Sequence, residues 1–221
     1  MTMTLPLRKL TLTAHVTASV GWLGALAVFL AHAVVSLISQ DAQVVRAASL
    51  AMGLSAWFVI LPLSLASLIT GLVQALGTPW GLFRHYWVLA KLLLTVLATI
   101  VLLLKLEPIS YLAGVAAETT FSSGDLTGLR ISLMTHAVGG LLVLLAVVTL
   151  AVYKPQGMTR YGMRKQRERG NAVVGYGFGS AIGTPRWVKV FGIIVIVLVL
   201  LVGIMMLGGG HGPGAHMSSD G

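Results

Sequence analysis

The chain has no cysteine. Disulfides, thiolate zinc sites, iron–sulfur clusters and covalently attached c-type haem are therefore excluded. Charge is scarce as well: only 10% of the 221 residues are Asp, Glu, Lys or Arg, and just six of them are acidic. A soluble domain carries about 25% charged residues. Proton-driven pumps and transporters usually rely on carboxylates within their membrane helices. The interiors of the first four apolar segments hold none, which counts against that class. Strand-like alternation is missing too. The apolar runs are long and continuous, unlike the alternating segments of about ten residues that build a membrane barrel.

What the chain has is apolar length. It is 57% hydrophobic and its mean hydropathy is +0.92, so lipid must serve as solvent for much of its surface. Apolar segments near 11–38, 48–76, 86–106, 129–153 and 188–207 are each read as a transmembrane helix, because hydrocarbon tolerates no unpaired backbone groups. Arg8 and Lys9 followed by apolar sequence and Ala31-His32-Ala33 imitate a cleavable signal. The run continues through Val34, Val35, Leu37 and Ile38, however, which makes it an uncleaved first helix. The expected fold is all-α: a four-helix transmembrane bundle over 1–153, a basic and glycine-rich cytoplasmic loop over 154–187, a peripheral fifth helix over 188–207 and a flexible exterior tail over 208–221.

Lysine and arginine set the orientation. With the N-terminus inside, Arg8, Lys9, Arg84, Lys154, the cluster over 160–169, Arg186 and Lys189 face the cytoplasm. Only Arg46, Lys105 and Arg130 lie outside, which satisfies the positive-inside rule in a bacterial cytoplasmic membrane. The net charge of +9 therefore reports topology and contact with anionic lipid head groups rather than nucleic acid. Pro62 is expected to kink the second helix. The 107–128 loop is expected to hold a short interfacial helix around 109–117. Gly175, Gly177 and Gly179 alternate with aromatics, but no strand precedes them, so this stretch reads as linker.

Histidine is the side chain left to carry chemistry. The topology sorts four of them by depth into an outer pair, His32 with His136, and an inner pair, His15 with His85. Neutral imidazole is a good axial ligand for haem iron, and helical bundles build cofactor sites from facing side chains. Gly139 and Gly140, three and four residues after His136, would leave room for a macrocycle. Arg84 and Lys91 would meet its propionates at the inner site. The same outer histidines with Met52 also suit copper, joined by His211 and His216 of the tail. Against both readings, histidines near helix ends and stripes of Gly and Ala are what close helix packing alone requires.

The stretches Ala14-His15-Val16-Thr17-Ala18-Ser19-Val20-Gly21-Trp22-Leu23-Gly24 and Gly77-Thr78-Pro79-Trp80-Gly81-Leu82-Phe83-Arg84-His85-Tyr86-Trp87 resemble a family of uncharacterised polytopic integral membrane proteins typical of actinobacteria. The resemblance covers helices one to four and brings no activity with it. At the level of histidine-bearing helices alone, the chain is similar to the membrane domain of copper-resistance D proteins and to diheme transmembrane cytochromes. Three readings follow. One is a b-type haem protein moving electrons across the membrane, with His32 and His136 as ligands and His15 and His85 for a second haem. The second is a copper-handling membrane protein. The third is a cofactor-free accessory subunit whose small-residue seams bind a partner helix or a second copy.

Overall fold

The computed structural model describes residues 3–77, 83, 85–118 and 126–153, with the single positions 159, 163, 164 and 193. These residues form helices α1 (Leu5–Ile38), α2 (Ala42–Ser55), α3 (Leu61–Gly77), α4 (Tyr86–Ala117) and α5 (Thr127–Tyr153). A π-helical turn, Ala56–Ile60, joins α2 to α3, so Ala42–Gly77 is one continuous span. Among the described residues, four spans are each long and apolar enough to cross a membrane. The expected fifth helix over 188–207 lies outside the described residues.

Local chemistry sets the boundaries. Pro6 sits in the first turn of α1, where its missing N–H costs nothing. Asp41 caps α2 by accepting from the Gln43 amide at 2.8 Å, which closes a short turn after α1. The π turn ends immediately before Pro62, with the Leu61 amide donating to the Ala56 carbonyl. A widened turn is one way a helix passes a residue with no N–H to donate, so Pro62 marks a π bulge within an uninterrupted span. Pro108 lies inside α4. The third helix therefore does not stop near residue 106, and the interfacial helix expected around 109–117 is its last turns. It continues because Ile109, Leu112 and Ala116 are buried against the bundle.

Each span packs on its two neighbours in sequence, and the first closes on the last through α1 and α5. Contacts along the helices fix antiparallel registers. Between α1 and α3, Ser19 meets Ser67 and Gly21 meets Leu63. Between α1 and α5, Ser36 meets Arg130 and Leu26 meets Gly140. Between α2 and α4, a Cβ on Gly53 would stand only 2.7 Å from the Ala113 Cβ. Glycine lets these two backbones approach, as small residues do where helices meet in lipid. The buried core runs through Trp22, Phe29, Ala33, Met52, Ile60, Leu112 and Leu133. Outward-facing positions remain apolar: Leu10, Phe58, Leu93 and Leu142 are all more than half exposed. That apolar mantle is suited to lipid contact. Most hydroxyls within the helices bond back to a carbonyl of the preceding turn, as Thr95, Thr99 and Thr149 do, and so need no water.

Candidate functional site

The bundle has two ends that differ in chemistry. At the end holding the N-terminus of α1, a polar clasp joins α1 to α3. Nδ1 of His15 lies 3.0 Å from the Ser67 carbonyl and 3.1 Å from Thr70 Oγ1. A carbonyl can only accept, so Nδ1 carries the proton and Nε2 keeps its lone pair. Ser19 Oγ adds a 2.8 Å bond to Ser67 Oγ. Gly71 makes room for the imidazole: a Cβ there would approach the ring to 3.0 Å. Ser64, Ser67, Thr70 and Gly71 recur at three- and four-residue spacing, which places them on one helix face. That spacing was a readable signal for the clasp.

His15 lines a cavity of about 500 Å3 set among all four spans. His85 does not line it. It is the N-cap residue of α4, and its ring stands 6.5 Å from that of Trp87. Lys91, which does line the cavity, is about six residues further along, roughly 9 Å of helical rise from His85. His15 and His85 thus occupy different surroundings. Arg84 lies outside the described residues.

At the opposite end, His32 and His136 lie on packed helices. They fall between the Ser36–Arg130 and Leu26–Gly140 contacts, within about two residues of a common level, or roughly 3 Å of rise. His136 places Nδ1 at 2.7 Å from the Ser132 carbonyl, which again assigns the proton to Nδ1. Its Nε2 is buried without a hydrogen-bond partner, and so is Nδ1 of His32. A buried nitrogen left unbonded costs about 1–3 kcal/mol, so two at one level call for an explanation. Imidazole held through Nδ1–H by a backbone carbonyl is oriented as metal-ligating histidines are.

The remaining expected residues divide. No atom comes within 4 Å of where a methyl on Gly139 would stand, whereas at Gly140 the Leu26 side chain already packs 3.2 Å from that point. Met52 is wholly buried in the apolar core. His211 and His216 lie outside the described residues. Among the described residues, no three His, Cys, Asp or Glu side chains gather closely enough to hold a metal ion.

Three cations take positions that residue type and spacing alone do not announce. Arg46 donates to the Ala117 carbonyl at 2.8 Å, capping the C-terminus of α4. Arg130 is only 4% exposed, and its Nη1 lies 3.4 Å from the Ser36 carbonyl in the last turns of α1. Cations there complement the carbonyl ends of helices. Lys105, expected at the outer surface, is instead set about three turns inside the span by the longer α4.

Among the described residues, the chain is an all-helical bundle of four spans, each long and apolar enough to cross a membrane, with histidines at both ends. No family model, curated protein or solved structure matches this chain.

Proposed function

We propose that this chain is a multi-pass protein of the bacterial cytoplasmic membrane, N-terminus inside, that holds a b-type haem between His32 and His136. The observation that carries the reading is the pair of buried, unpartnered imidazole nitrogens at one level of two packed helices. Two imidazoles suffice for an iron already held by four porphyrin nitrogens. A bare ion asks for more protein ligands, and no cluster of three His, Cys, Asp or Glu is found among the described residues. The open space beside Gly139 favours a flat group next to His136. When bound, the haem would supply one-electron chemistry. The protein's part is to fix the rings, through the Ser132 carbonyl for His136, and to exclude water.

Copper is the second reading, because Met52 falls near the level of His32 when the α1–α3 register is continued along its span. Protein purified in mild detergent from haem-replete cells decides between them. A sharp Soret band that shifts on dithionite reduction, with haem extractable into acidified acetone, is expected. Stoichiometric copper without iron would establish the second reading. A colourless, metal-free protein would sink both and leave an accessory subunit whose histidines serve helix packing.

A further inference from the structure

The cavity at the N-terminal end has a chemistry of its own. Its polar lining includes two cationic side chains, Arg8 on α1 and Lys91 on α4, with Gln74 on α3 and His15 on α1. Gln74 Nε2 is buried and has no hydrogen-bond partner. Among the described residues no carboxylate lines the cavity, and the acidic ones, Asp41, Glu107 and Glu118, all belong to the other half of the bundle. The rest of the wall is largely aliphatic, with Leu12, Val16, Leu68, Val88 and Val148 among it. A site with donors and positive charge at one side and hydrocarbon around them is matched by an anionic amphiphile.

From this arrangement we infer that the cavity binds the acidic headgroup of a membrane lipid, its phosphate oxygens meeting Lys91, Arg8 and the Gln74 amide, and its glycerol and first methylenes lying along the aliphatic wall. About 500 Å3 accommodates a headgroup and the start of a chain, while the remainder of the acyl chains stays among the exposed apolar side chains of the spans. The Nε2 lone pair of His15 accepts a hydrogen bond from a headgroup hydroxyl such as that of glycerol. This site is separate from the His32–His136 level, so haem content and lipid binding are independent readouts.

The test uses the full chain, delipidated in a maltoside detergent and titrated with phosphatidylglycerol, with phosphatidylcholine or with inorganic phosphate, binding being read from the melting temperature and by native mass spectrometry. Phosphatidylglycerol is expected to protect and phosphatidylcholine not to. Gln74→Leu and Lys91→Gln should each raise the phosphatidylglycerol concentration needed by about tenfold, the loss of one charge-assisted hydrogen bond. Lys9→Gln, an exposed cation outside the cavity lining, should leave the titration unchanged. Protection by phosphate alone would assign the polar end to a free anion and overturn the lipid assignment, whereas protection only by the lipid assigns it to the headgroup. The inference is also overturned if phosphatidylcholine protects equally, if both cavity variants titrate as wild type, or if Lys9→Gln weakens binding as much as Lys91→Gln.

Discussion

Single residues divide here into those that hold the bundle and those that leave it room. Gly53 belongs to the first kind, since a Cβ there would press on Ala113 at 2.7 Å. Gly53→Val should therefore lower the melting temperature in detergent, at an overpacking cost of about 1–3 kcal/mol. The protein places nothing within 4 Å of a Cβ at Gly139, so in the haem-free protein Gly139→Ala should be neutral or raise stability by up to about 0.5–1 kcal/mol through helix propensity. An unchanged melting temperature for Gly53→Val would mean that the register between α2 and α4 is not as described, and a loss from Gly139→Ala would mean that the space beside it on α5 is filled. That His32 and His136 stand near one level was legible in the sequence, because distance from the ends of an apolar run sets position along a span. The inner pairing was not. His85 begins its helix, and the partner of His15 is a backbone carbonyl, which no residue type announces.

At the scale of elements, the four spans were legible because apolar length in lipid leaves helices as the only economical choice. Their interruptions were harder to read. Glu107-Pro108 resembles a helix end, since proline removes a donor and crowds the carbonyl four residues before it. Burial of Ile109, Leu112 and Ala116 carries α4 past that defect, and Lys105 is drawn inside the span as a result. Pro62 suggests a kink, and the chain meets it with the π turn Ala56–Ile60, which residue type alone does not announce. Such a turn holds one residue more than an α-helix needs. Deleting Phe58, which is 76% exposed, should convert the turn to α-helix and leave both flanking faces in register. Deleting Val28 from α1 should rotate the rest of that helix by about 100° and abolish folding. Monodisperse elution of the first variant and aggregation of the second is the expected result on size exclusion; aggregation of both would contradict the bulge.

For the whole molecule, orientation rests on the distribution of charge. Arg8 and Lys9 begin the first span, and the chain from 154 to 169 is rich in lysine and arginine. The cations at the opposite end include Arg46 and Arg130, both engaged with helix carbonyls, so they weigh less as free interfacial charge. Reporter fusions after Lys165 should read cytoplasmic and fusions after Gly221 exterior. An exterior signal after Lys165 would invert the molecule and place the cationic cavity at the exterior leaflet. The most direct test of haem ligation by His32 and His136 is a reduced-minus-oxidised spectrum of membranes carrying wild type, His32→Ala, His136→Ala or His15→Ala at matched protein levels. Wild type and His15→Ala should share the same low-spin signal, while His32→Ala and His136→Ala each lose it or convert it to a high-spin form. A low-spin signal that survives in both His32→Ala and His136→Ala would contradict the pairing on which the proposed function stands.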